Sequence, residues 1–133
     1  MNTPPGGAFL FRKASNYASG TTVQTEGSTG TILLDYAVPA GKELWVKSTA
    51  INPNTGAVSV GNFAYKAGQN DMGPTFTCAA IQDDDFGYHM ILRQGQHFQI
   101  LLWSNNGTSV GAEVMLKGKL YQDGTFDRVW KEL

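Results

Sequence analysis

The stretch Val110-Gly111-Ala112-Glu113-Val114-Met115-Leu116-Lys117-Gly118-Lys119-Leu120-Tyr121 decides the fold class. Val110, Ala112, Val114, Leu116, Gly118 and Leu120 share one parity; Glu113, Lys117, Lys119 and Tyr121 take the other. Successive side chains of a strand point to opposite faces, so this period of two marks a strand with one face on a core. The polar parity is left to solvent or to a partner.

Working back toward the N-terminus, the same pattern recurs in shorter pieces. From Thr31 to Val38, Ile32, Leu34, Tyr36 and Val38 share a face, and Pro39-Ala40-Gly41 makes a turn. Proline presets φ there and glycine tolerates positive φ. Leu44, Val46, Ser48 and Ala50 then alternate with Trp45, Lys47, Thr49 and Ile51, up to a turn at Asn52-Pro53-Asn54-Thr55-Gly56. The next strand, Ala57 to Lys66, changes apolar parity at Gly61, which predicts a bulge or bend. Thr75 to Ile81 reads as a short strand after a polar loop, and Gln82-Asp83-Asp84-Asp85 as another loop before Phe86 to Leu92. A turn at Arg93-Gln94-Gly95-Gln96 leads to Phe98, Ile100 and Leu102, alternating with His97, Gln99, Leu101 and Trp103, and Asn105-Asn106-Gly107 closes that strand. Helical periodicity is nearly absent, and turn signals fall about every ten residues, as in a sandwich or barrel.

The 133 residues suit one domain. Its expected parts are an N-terminal arm and loop or edge region at 1–30, the β-sandwich at 31–122 and a short tail at 123–133. Within the tail, the stretch from Asp127 onward is expected to form a single helical turn capped by Asp127. Charged residues are 16% of the chain, the formal net charge is −1, and 16 residues are glycine. Neutralising phosphates needs clustered Lys and Arg, so a nucleic-acid binder working through a basic face is disfavoured. With 41% hydrophobic residues the chain has the means to pack a core. The start is neither basic nor apolar enough for a signal peptide, and the apolar stretches are far shorter than a membrane span. A soluble protein made in a reducing cytosol is expected.

The search for chemistry yields no catalytic residue, cofactor or metal site. Cys78 is alone and reads as a small buried hydrophobe, which excludes an internal disulfide and a Cys-based zinc site. His89 and His97 lack the spacing of a metal pair, and Asp83, Asp84 and Asp85 lack that of a calcium loop. The Gly-x-Ser-x-Gly elbow and the phosphate loop are missing. Trp45 and Trp103 have two readings, packing within the sandwich or stacking on a sugar. Trp130 lies in a short tail with little intrachain cover, which suits an intermolecular anchor.

Two segments carry a resemblance: Tyr36-Ala37-Val38-Pro39-Ala40-Gly41-Lys42-Glu43-Leu44-Trp45-Val46 and Leu92-Arg93-Gln94-Gly95-Gln96-His97-Phe98-Gln99-Ile100. Each is a strand, a Gly-centred turn and a strand. Followed by Asn105-Asn106-Gly107 and Val114 to Tyr121, they resemble the small jelly-roll virion proteins of tailed bacteriophages, of the capsid decoration or cement type. The likeness spans roughly residues 31 to 121, in pattern more than identity. It implies an all-β, two-sheet antiparallel jelly-roll-like sandwich with an extended N-terminal arm. It further implies a non-enzymatic structural protein, made in the host cytoplasm and located in the virion. Such a protein binds the major capsid protein or another virion protein and assembles with itself, commonly as a homotrimer, with no nucleic-acid or membrane partner. The arm would be Met1 to Arg12, with Phe9, Leu10 and Phe11 as apolar anchors beside Arg12, and Trp130 would join the contact. The alternative is a carbohydrate- or receptor-binding module of a phage tail or fibre.

Overall fold

Alternating apolar residues become paired strands in the computed structural model, which describes residues 3–18, 30–53, 61–68, 70–71, 76–78, 82–104 and 110–132. The strands are β1 (Ala8–Ala18), β2 (Thr31–Ala37), β3 (Lys42–Pro53), β4 (Gly61–Ala67), β5 (Asn70–Asp71), β6 (Phe76–Cys78), β7 (Gln82–Arg93), β8 (His97–Ser104) and β9 (Val110–Gln122). A single helix, α1 (Thr125–Glu132), follows them. One sheet has the order β1-β9-β3-β7 and the other β2-β8-β4-β5, with β6 also paired to β4. All of these pairings are antiparallel. The long strands pass alternately from one sheet to the other, which is the double Greek key of a jelly roll. The expected two-sheet sandwich is therefore the observed fold.

The core lies between the sheets. Leu10, Leu44, Val46, Ile51, Leu92, Val114 and Leu116 face Leu34, Tyr36, Phe63, Phe98, Ile100 and Leu102. The expected turns at Gly41 and Gly95 are present, with φ of 76° and 80°, and each closes with a backbone bond: Lys42 N to Pro39 O and Gln96 N to Arg93 O. The expected turns at residues 54–56 and 105–107 lie outside the described residues, as do 57–60 of the strand expected from Ala57.

Four expectations are corrected. Residues 8–18 are not an arm but an edge strand, paired along its length from Ala8↔Leu120 to Ala18↔Val110. It was hidden because the sequence parity of Leu10 reads Ala8, Leu10, Arg12, Ala14, Asn16 and Ala18, while the larger Phe9 and Phe11 take the other and are exposed. The sandwich thus begins at Ala8 rather than at residue 31, and the chain ahead of the first strand shortens to residues 1–7. The Asp83 to Asp85 run is not a loop but part of β7, opposite Ala50, Thr49 and Ser48. Backbone pairing with β3 overrides the poor strand propensity of Asp. In β3 the alternation read through Ser48 and Ala50 breaks at a bulge: Val46 pairs Gly118, but Ser48 pairs Lys117, which leaves Lys47 extra. Inward residues are Leu44 and Val46 before it, Thr49 and Ile51 after it. Finally, the tail forms two helical turns rather than one, and its cap is not Asp127, as described below.

Candidate interaction face

The register of the four-stranded sheet determines what its outer face presents. Phe9 lies opposite Lys119, Phe11 opposite Lys117, and Lys13 opposite Met115. Next to them come Trp45, Lys47, Ser48 and Ala50 on β3, then Asp85 and Asp83 on β7. Phe9 is 68% exposed and Phe11 42%, large apolar side chains set beside lysines. Such residues on a folded surface mark contact sites when they are contiguous.

One end of this face is covered by α1 and the N-terminal segment. Trp45 is fully buried, its ring 4.9 Å from that of Tyr121 and 5.9 Å from that of Phe126. Tyr121 donates its hydroxyl hydrogen to Pro4 O (2.8 Å), and Lys119 Nζ reaches Thr3 Oγ1 (3.2 Å). Beneath the helix lies Glu43, also fully buried. Its Oε1 accepts from Gly124 N–H (2.7 Å), and its Oε2 accepts from Phe126 N–H (2.9 Å) and Trp45 Nε1–H (2.7 Å). A carboxylate from β3 thus satisfies the free amides at the helix start, where the macrodipole favours negative charge. Asp127 sits in the first turn and pairs instead with Arg93 (2.9 Å).

Beyond the helix the face is open and sinks into a cleft of about 320 Å³, bordered by Lys47, Ser48, Ala50, Asp83, Met115 and Lys117 among others. Lys47 Nζ reaches Asp85 at 3.2 Å, and Gly87 N–H donates to the same carboxylate at 2.8 Å. The Gly87 bond first, then Lys47, hold the Asp85 carboxyl below the usual carboxylate range. Asp84 points inward and accepts from the Tyr65 hydroxyl, which in turn accepts from Thr49 Oγ1 (2.8 Å), so a polar chain ties the two sheets. Between Asp85 and Met90, β7 carries extra residues opposite the β3 bulge, and Tyr88 there has φ of 64°. A bulky residue in the left-handed region is costly and is kept by its surroundings. Lys47 and Lys119 both lie over its ring, at 5.4 and 5.7 Å from the centroid.

Of the residues expected to bind a partner, Phe9, Phe11, Arg12 and Trp130 are exposed. Trp130 is 62% exposed and stacks on Phe126. Leu10 is corrected: at 3% exposure it is a core residue. Arg12 lies at the sandwich edge, its guanidinium 5.3 Å from the centre of the Tyr36 ring. Phe9, Phe11 and Trp130 all belong to elements on the outer side of one sheet, but no contact links the phenylalanines to the tryptophan among the described residues. The residues that escaped notice in the sequence are Glu43 and Tyr88. Glu43 looked like an ordinary strand polar residue, and nothing local signals the φ of Tyr88.

The two tryptophans offered to a sugar are both buried. Trp45 lies under α1, and Trp103 is 7% exposed, with the Gly30 backbone so close that a Cβ there would sit 2.8 Å from the ring. No group of three or more His, Cys, Asp or Glu side chains suited to a metal occurs among the described residues. His97 pairs with Asp35 (2.7 Å) on the opposite sheet, remote from the acidic run. The side chain of Cys78 lies outside the described residues. No helix among the described residues is long and apolar enough to cross a membrane. By strand order the chain is a jelly-roll sandwich. No protein-family model and no curated protein sequence matches it.

Proposed function

We propose that this chain is a non-enzymatic structural protein of a phage virion: a decoration protein that seats on the outer surface of the head and stabilises it. The observation that carries this reading is the exposed pair Phe9 and Phe11, flanked by Lys13, Lys117 and Lys119, on the outer face of a jelly roll. Large apolar side chains at the centre of an interface contribute most of its affinity, and surrounding charges steer encounter. The jelly roll supports the reading only by analogy, since viral capsid proteins, lectins and cupins share it. In this reading the partner is the major capsid protein or another virion protein, and the chain assembles with copies of itself, as a trimer in the proteins it resembles. The sugar-binding alternative loses its proposed platform with the burial of Trp45 and Trp103.

The test is co-sedimentation of the purified chain with heads of the phage that encodes it. Saturable binding is expected, with the double variant Phe9→Ser/Phe11→Ser weakened by about tenfold or more at unchanged thermal stability. Absence of sedimentation with heads would overturn the assignment, and undiminished binding by the double variant would overturn the role of this face.

A further inference from the structure

Helix α1 and residues 3–7 cover one end of the outer face of the four-stranded sheet, while the other end, which holds the cleft, is bare among the described residues. The same chain exposes a side chain shaped for such a cleft. Trp130 stands on α1 with Phe126 stacked against it at 5.9 Å, and 62% of its surface is open. We propose that the cleft is the seat for Trp130 of a second copy of this chain, so that the helix end of one copy covers the bare end of the next. The inference rests on the reading of a self-assembling virion protein and names the surface by which it assembles.

The fit is chemical as well as steric. A cavity of about 150 Å³ admits a benzene ring, and this cleft has about 320 Å³. An indole needs apolar walls, an acceptor for its N–H, and gains from a cation over its face. Ala50 and Met115 supply the apolar wall, Asp83 an exposed carboxylate, and Lys47 and Lys117 the cations. Asp83 and Lys117 have no ion-pair partner among the described residues, so both are available to an incoming ring and its neighbours. A net charge of −1 leaves little long-range repulsion between copies.

Two other occupants fit less well. Strand addition at the free edge of β1 meets Arg12, whose Nη1 donates to its own neighbour's carbonyl, Phe11 O, at 2.9 Å. Charged groups on an edge are a known means of blocking that mode. An anionic polymer would meet Asp83 and Asp85 along with the lysines. Because knob and cleft are different patches of one chain, the contact repeats either reciprocally in a two-fold dimer or head-to-tail in a ring such as a trimer.

Sedimentation velocity on the full chain, without heads, tests this. The wild type is expected to associate with rising concentration. Trp130→Ala removes the knob, Ala50→Phe fills the cleft, and each is expected to weaken association at least tenfold with the monomer's melting temperature unchanged. Mixing the two variants is expected to restore a 1:1 heterodimer but no larger assembly, because the second keeps its tryptophan and the first keeps its cleft. A loss caused by misfolding would not be rescued in this way. A wild type that stays monomeric at about 0.1 mM, association untouched by Ala50→Phe, or a mixture without rescue would each overturn the proposal. A monomer that binds heads would overturn the seat alone, and a self-associating chain that never binds heads would overturn only the virion assignment.

Discussion

Glu43 lies in a place where solvent is excluded, and three N–H donors hold its side chain there. Its three bonds, to Gly124 N–H, Phe126 N–H and Trp45 Nε1–H, fix the start of α1 to β3. Removing one partner of a buried hydrogen bond leaves the others with their full desolvation cost, about 1–3 kcal/mol. Glu43→Gln keeps the volume but turns one carboxylate oxygen into an NH₂ facing N–H donors. We expect it to lower stability by about 1–3 kcal/mol and to speed amide exchange at Gly124 and Phe126. Exchange in β8 should change only through the global term. Chemical denaturation and amide exchange measured by NMR check both parts; unchanged exchange at Phe126 would show that the helix is held by Phe126 packing on Trp45 instead. Glu43 was not legible in the sequence. It lies among strand residues, and its amide partners are about eighty positions downstream (81 and 83). Only the return of the chain through β9 brings them together.

The elements were legible where one face is fully apolar and obscured where it is not. Strand β9 and, in the other sheet, β8 read directly from alternation, because each buries an apolar parity against the core. Strand β1 did not, since as an edge strand it has one neighbour, and its larger side chains face out. The acidic part of β7 was misread because Asp84 turns inward to Tyr65 rather than to solvent, a contact made from the other sheet. The bulge in β3 could not be placed either, because it depends on how β9 lies alongside. Gly118 sits at that crossing, where a Cβ would approach Trp45 O to 2.6 Å and Leu44 Cδ1 to 2.9 Å. Backbone oxygen cannot give way cheaply, so Gly118→Ala must push β9 off β3. The expected loss is about 1–3 kcal/mol, a fall of about 5–15 °C in Tm for a chain of this size. Differential scanning calorimetry checks it. A Tm within a degree of wild type would mean that the bulge absorbs the methyl group.

At the scale of the whole molecule, the N-terminus is both part of the fold and part of the proposed contact face, and the two roles separate at Ala8. Residues 3–7 are held to β9 by Tyr121, which donates to the Pro4 carbonyl, and by Lys119, which donates to the Thr3 hydroxyl. Residues 8–12 contribute backbone pairing to β9 and the buried Leu10. Deleting residues 1–7 therefore removes surface bonds, each worth about 0.5–1.5 kcal/mol, and should leave a folded chain that keeps Phe9 and Phe11. Deleting residues 1–12 takes Leu10 as well, and a buried leucine contributes about 2–5 kcal/mol out of a typical total of about 5–15 kcal/mol. The longer truncation also exposes the Leu116 to Leu120 edge of β9 as an unpaired strand, which invites aggregation. Urea titrations of the two truncations, with light scattering of each, are expected to give a modest shift in midpoint for the first. For the second they should give a shift several times larger, with self-association that Trp130→Ala does not suppress. Equal midpoints for the two truncations would show that β1 contributes nothing before Lys13, and that residues 1–12 are an independent arm after all.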